Sequence, residues 1–207
     1  MTLLGQKIEF FGGPDKNIFH DYDQNQGHFS SAYKSGLDFT AGIGVDSVKI
    51  DWLTMRFTLQ FSNYGGELEA SDGGLGSMST TKAKINKSVI SLGIFPLNCR
   101  IFHRIDLNFG LEISRLIGEK FSGTSSGWMM GLPDWSYDLH DQFKRYSSLV
   151  YFGFRGKISY DLFLSKSIVI FPQYSYYFGL SNEFDQFPET TKSMRHSFCI
   201  GIKKKLK

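Results

Sequence analysis

The chain has 207 residues, 41% of them hydrophobic, enough for one all-β domain. Twenty Phe, ten Tyr and 22 Gly beside only five Pro favour strands and turns over helices. A net charge of +3 makes no case for nucleic acid as a partner, and no run of 18 apolar residues exists to cross a membrane as a helix.

Residues 1–6 read as a signal-peptide remnant or an N-terminal extension, and 1–207 as a single domain. The first strand spans Gln6 to Phe11, with Ile8 and Phe10 on one face and Lys7 and Glu9 on the other. This period-two alternation signals a β-strand, because successive side chains leave the pleat on opposite sides. Polar residues 12–34 read as a loop. A second strand, 35–45, sets Leu37, Phe39, Ala41, Ile43 and Val45 against Asp38, Thr40, Gly42 and Gly44, and Asp46-Ser47 reads as a tight turn. A third, 48–63, sets Leu53, Met55, Phe57, Leu59 and Phe61 against Thr54, Arg56, Thr58, Gln60 and Ser62. Gly65, Gly66, Gly73, Gly74 and Gly76 then mark a second long loop.

The fourth strand, 82–96, carries Ile90, Leu92 and Ile94, and 97–102 reads as its turn. The clearest alternation follows. Ile105, Leu107, Phe109, Leu111 and Ile113 oppose Arg104, Asp106, Asn108, Gly110, Glu112 and Ser114. The longest connection covers 117–146. The sixth strand, 147–162, sets Val150, Phe152, Phe154, Ile158 and Tyr160 against Tyr151, Gly153, Arg155, Lys157 and Asp161. After a turn at 164–166, Ile168, Ile170, Tyr174, Tyr176 and Phe178 oppose Phe171, Gln173, Ser175 and Tyr177. A loop at 181–192 precedes an eighth strand with Phe198, Ile200, Ile202 and Leu206 apolar. The basic run Lys203-Lys-Lys-Leu-Lys207 reads as a solvated end.

The connections thus alternate long and short, so all long loops fall at one end and all short turns at the other. Outer-membrane barrels have this asymmetry. The fold expected is an eight-stranded antiparallel up-and-down transmembrane β-barrel in the bacterial outer membrane. The apolar face, with Phe39, Phe57, Phe61, Phe109, Phe152, Phe154, Tyr160, Tyr174, Tyr176, Phe178 and Phe198, is too bulky for an eight-stranded lumen and lacks charges mid-strand. It therefore meets lipid, with Trp52, Phe95, Phe102, Tyr160, Phe163 and Phe178 as interfacial girdles. Inward Gly42, Gly44, Gly93, Gly110, Gly153 and Gly201 suit a crowded lumen.

That lumen is expected to hold Lys7, Glu9, Asp38, Arg56, Arg104, Asp106, Glu112, Arg155, Lys157 and Asp161, with Arg195. Charges of both signs in so narrow a space must pair or hold water. A polar plug fits the small barrel better than a gated pore lined by basic residues.

Phe171-Pro-Gln-Tyr-Ser-Tyr-Tyr-Phe-Gly-Leu-Ser-Asn182, followed by Met194-Arg-His-Ser-Phe-Cys-Ile-Gly-Ile-Lys203, resembles the closing two strands of the Bacteroidetes outer-membrane β-barrel family that includes PorT-like proteins. The opening Gln-Lys-Ile-Glu-Phe10 resembles members cut after a signal peptide. The likeness is specific over the last forty or so residues. It implies insertion by the outer-membrane assembly machinery and an accessory role in protein secretion. The ending Lys-Leu-Lys207 departs from the usual aromatic terminus.

Chemistry is sparse. The close His/Ser pairs are His28 with Ser30 and His196 with Ser197, neither with an evident orienting carboxylate, so no enzyme is expected. Asp21, Asp23 and Asn25 open like a calcium loop, but Gln26 and Ala32 break the pattern. Asp134, Asp138, His140 and Asp141 follow no recognised ligand spacing. Gly12-Gly-Pro-Asp15 and Gly73-Gly-Leu-Gly76 lack the following helix of a phosphate site. No cofactor or metal is expected, and Cys99 in a turn and Cys199 on the polar face read as free thiols. The third loop stands out: Trp128, Met129, Met130, Leu132, Trp135, Tyr137 and Phe143 make it apolar and aromatic, fit for a partner interface, a lid, or packing in lipopolysaccharide headgroups. Expected partners are outer-membrane lipids, lipopolysaccharide and other outer-membrane or secretion-complex proteins.

Overall fold

The computed structural model describes residues 7–21, 29–50, 53–102, 104–139, 147–163, 165, 167–185 and 190–205. Its strands are β1 (Lys7–Asp21), β2 (Phe29–Ile50), β3 (Leu53–Gly74), β4 (Ser77–Ile101), β5 (Ile105–Met129), β6 (Trp135–Leu139), β7 (Val150–Tyr160), β8 (Leu162–Phe163), β9 (Ile168–Gly179) and β10 (Thr191–Lys205). Eight of these ten close a ring in the order β1, β2, β3, β4, β5, β7, β9, β10, with β10 antiparallel to both β9 and β1. The two strands beyond the expected eight are short. β8 continues β7 past Asp161 and pairs with β9, and β6 lies along the outer part of β5.

The strands are longer than alternation of apolar residues suggests. β2 and β3 have 22 residues each, β4 and β5 have 25. About 9–11 tilted residues cross a hydrocarbon core, so these four strands stand well clear of the membrane at their far ends. The loop expected at 12–34 is strand as far as Asp21 and again from Phe29. Pairing of β1 with β10 skips from Gly12 opposite Ile200 to Asp15 opposite Ser197, and Pro14 sits at this irregularity, where a missing N–H is tolerated.

Asp46-Ser47 is no turn. It lies in a register shift between Val45 and Val48, and the chain reverses between Ile50 and Leu53, which pair. Gly65, Gly66, Gly73 and Gly74 are inside β3, and the reversal is the tight Leu75-Gly76 turn, with Gly76 at φ 99°. The turn expected at 97–102 is strand to Ile101, with Cys99 opposite Leu107. The connection expected at 117–146 is largely a hairpin of β5 and β6. Once neighbouring strands are aligned by the membrane segment, the hydrogen-bond ladder carries on through residues of loop-like composition.

Alternation of burial follows the apolar pattern. On β5, Leu107, Phe109, Leu111 and Ile113 face outward and Asp106, Asn108, Glu112 and Ser114 are buried. None of the eleven aromatics assigned above to the lipid face is buried. Phe95 is a correction: it is fully buried and points inward with Gly93, since Ile94 takes the outward place beside it. Trp52 and the Phe163 and Leu206 side chains fall outside the described residues, whereas Phe102 and Tyr160 are exposed as girdle residues should be.

The lumen holds aromatic rings as well as charges. Phe11, Phe95, Phe171 and Tyr177 are buried there, and a Cβ on Gly42, Gly93, Gly201 or Gly153, respectively, would collide with these rings. The inward glycines are the recesses that let an eight-stranded barrel enclose them. Toward the loop end, Phe19, Tyr64, Leu68, Ile85, Val89, Leu116, Phe121, Tyr151 and Phe184 form one apolar cluster.

Candidate functional site

Inward side chains from seven of the eight ring strands, all but β2, make three charged and polar tiers. At the end with short turns, Lys203 Nζ lies 2.8 Å from Asp106 and 2.9 Å from Asp161. Arg100 bonds both oxygens of Asp106 at 2.5 and 2.7 Å and reaches Asp161 at 3.0 Å. Lys203 is therefore no solvated terminus: it lies across from Glu9 on β1 and is buried.

In the middle tier, Arg56 Nε donates to Glu9 at 2.7 Å and its Nη2 to Gln173 at 3.0 Å. Glu112 Oε1 accepts from Arg155 Nη2 at 3.1 Å and from Arg195 Nη2 at 3.0 Å. The Arg195 guanidinium lies over Tyr177, 4.1 Å from its ring centre, and within 4.7 Å of that of Tyr64. Lys157 Nζ donates to Thr58 Oγ1 at 3.3 Å and sits over Phe95 and Phe11 at 4.4 and 5.1 Å.

The third tier lies at the loop end. Glu183 and Phe184, from the connection between β9 and β10, turn into the barrel. Lys87 Nζ donates to Glu183 Oε2 at 2.9 Å and to its carbonyl oxygen at 3.1 Å, while lying 4.0 Å over Phe184. The Tyr64 hydroxyl donates to Glu183 Oε2 at 3.1 Å. The Ser148 hydroxyl lies 2.9 Å from the Asn182 carbonyl oxygen and beside the Asp185 carboxylate, two acceptors for its one proton, tying the connection down.

Of the ten residues expected in the lumen, Glu9, Arg56, Asp106, Glu112, Arg155, Lys157 and Asp161 are buried, as is Arg195. Lys7 and Asp38 are half-buried. Arg104 is a correction: it lies in the turn before β5, exposed, and donates to the Tyr160 hydroxyl at 3.2 Å. Arg100, four residues earlier, takes the place foreseen for it. Lys87, Lys203 and Glu183 are additions. Lys87 shares the inward parity of Val89 and Ser91 and was open to detection by alternation, whereas nothing periodic marks Glu183.

His196 and Ser197 cannot act as a pair, because strand neighbours face opposite sides. His196 Nδ1 is 2.8 Å from the Tyr174 hydroxyl, and the Ser197 hydroxyl donates inward to Asp15 at 2.9 Å. His28, Asp23, Asn25, His140, Asp141 and Phe143, with the side chains of Asp21 and Ser30, fall outside the described residues. Asp134 and Asp138 are exposed, and no group of three His, Cys, Asp or Glu placed to hold a metal occurs among the described residues. Cys99 is exposed, Cys199 buried, and both are free.

The aromatic segment is an ordered hairpin. Trp128 and Met129 end β5, Met130 lies in the turn with Gly131 at φ 83°, and Trp135 and Tyr137 belong to β6. Trp135 stacks on Tyr137 with ring centres 5.3 Å apart. All five side chains are exposed, Met130 at 80%.

A closed antiparallel ring with an apolar outside and an ionic inside defines an integral outer-membrane β-barrel. The sequence profile described as "Outer membrane protein beta-barrel domain" matches residues 7–185, and the chain belongs to that family. It is similar in fold to the outer membrane protease OmpT from Escherichia coli, at 8% identity and TM-score 0.51, covering 99% of this chain and 98% of that one. OprG from Pseudomonas aeruginosa is similar at 13% identity and TM-score 0.44, over 98% and 96% of the two chains. Neisserial surface protein A is similar at 13% identity and TM-score 0.44, over 97% of each. No curated protein matches the chain. By the usual orientation of such barrels, the short turns and both ends of the ring are periplasmic and the long hairpins extracellular.

Proposed function

We propose that this chain is a non-enzymatic outer-membrane protein that keeps a closed barrel in the bilayer and offers its outer hairpin to a partner, as a scaffold or accessory subunit. One observation carries this reading: Trp128, Met129, Met130, Trp135 and Tyr137 are all exposed on a hydrogen-bonded two-stranded hairpin. Trp and Tyr are favoured interface anchors, and presenting them on paired strands avoids the entropy of ordering a loop. From Ile113 in the lipid belt to Met129 the strand runs about 50 Å at ~3.3 Å per residue, which argues against burial among headgroups.

The PorT-like resemblance of the last two strands makes a protein-secretion complex of a Bacteroidetes cell the context to test first. Lipid and lipopolysaccharide are the partners of the belt itself. The test is site-specific crosslinking from Trp128 and Trp135 in native outer membranes. A discrete product with one outer-membrane protein supports the reading, and only lipid adducts refute it.

A narrow passive pore is the second reading. Tyr177, Arg195, Asn108 and Ser159 carry buried polar atoms without a hydrogen-bond partner among the described residues, and these are places where water could thread the lumen. Planar-bilayer recordings separate the two. Silence favours the plug, stable unitary openings the pore.

A further inference from the structure

Among the described buried cations of the lumen, Lys157 stands alone in having no carboxylate within ion-pairing distance. Arg56 has Glu9, Arg155 and Arg195 share Glu112, Lys87 has Glu183, and Lys203 has Asp106 and Asp161. Around Lys157, the other middle-tier cations Arg56, Arg155 and Arg195 each meet a carboxylate, Glu9 or Glu112, and all are buried. A buried ammonium without an ion-pair partner is very costly.

The register places unused polar groups beside it. Asn108 on β5 lies directly across from Lys157 on β7, and Ser159 is the next inward residue of β7. Asn108 is 4% exposed and Ser159 2%, and neither amide atom of Asn108 nor the Ser159 hydroxyl has a hydrogen-bond partner among the described residues. The ammonium itself bonds only Thr58 Oγ1 among them, leaving further N–H groups to donate.

We propose that the lumen binds one small monovalent anion of the halide class beside Lys157, held by the ammonium, the Asn108 amide N–H and the Ser159 hydroxyl. A single charge matches the one buried cation that has no carboxylate partner among the described residues. The rings of Phe11 and Phe95 stand 5.1 and 4.4 Å from Lys157 Nζ, an apolar flank that suits a small anion. The site lies inside the barrel and is independent of the role given to the outer hairpin.

The full chain is refolded into detergent with sodium bromide and crystallised, and anomalous scattering is measured at the bromine edge. A lumen peak within hydrogen-bond reach of Lys157 Nζ, Asn108 and Ser159 is expected. Unfolding temperatures are then compared in chloride and in gluconate at equal ionic strength. Chloride raises the value for wild type, and the increment disappears in Lys157→Met and shrinks in Asn108→Leu. Should Lys157→Met fail to fold, Asn108→Leu and the bromide map decide alone. No lumen peak, bromide bound on the surface as an adventitious ion only, or a chloride increment unchanged in Asn108→Leu overturns the proposal.

Discussion

Lys87 on β4 and Glu183 from the connection between β9 and β10 meet at 2.9 Å, and both side chains are buried. They are 96 residues apart in the chain, and their pairing pins the last outer connection inside the barrel mouth. Removing one partner of a buried pair leaves an uncompensated charge, which costs about 3–5 kcal/mol. Lys87→Met is therefore expected to lose that much, and the double variant Lys87→Met with Glu183→Gln to recover most of it. Urea unfolding of micelle-held protein reads both. If the double variant is no better than the single, the pair does not hold the mouth.

How far the sequence showed this arrangement depends on the residue. From 105 to 114 the alternation fixes the strand, its faces and the inward carboxylates Asp106 and Glu112, because one face must be apolar for lipid. At 65–76 and 117–129 it misleads. Gly, Ser and Thr have the composition of loops there, yet their backbones pair because β3, β4 and β5 are already aligned below. Arg104 and Arg100 exchange roles for a related reason: Ile101 already pairs with Ile105, and Arg100 is still in strand beside Asp106. Glu183 follows no period at all, since an inward-folding connection is set by tertiary contacts.

The recesses left by inward glycines give a second prediction. A Cβ on Gly93 would lie 2.8 Å from the Phe95 ring and 2.6 Å from Thr58 Oγ1. Gly93→Val should overpack the lumen at a cost of about 1–3 kcal/mol. Phe95→Leu in the same chain should return part of that stability by freeing ring volume. Equal unfolding midpoints for wild type and Gly93→Val would show that the lumen is loosely filled.

Orientation of the belt is tested by charge. Leu111 is 52% exposed on the outer face of β5 and sits mid-belt, whereas Phe102 lies in a turn at the membrane edge. Leu111→Arg should destabilise the inserted barrel by about 2–4 kcal/mol, and Phe102→Arg by about 0–1 kcal/mol. Reversible unfolding from lipid vesicles measures the difference. Similar values for the two would mean that the apolar face does not meet hydrocarbon.

The outer hairpin supplies the last prediction. Trp128 lies across from Met78 on β4, and Trp135 lies across from Gly127, so both rings rest on a sheet that does not depend on them for its ladder. Truncating them removes exposed aromatic surface and leaves the ring, the lumen ion pairs and the mouth intact. Trp128→Ala with Trp135→Ala should therefore keep wild-type insertion and unfolding midpoint within about 0.5 kcal/mol apiece, as for surface changes. Loss of an interface anchor costs about 2 kcal/mol or more in binding, roughly a thirtyfold weakening. The deciding measurement is affinity for the partner identified by crosslinking, compared between detergent-purified wild type and double variant. Unchanged binding with intact folding would place the contact surface elsewhere on the barrel.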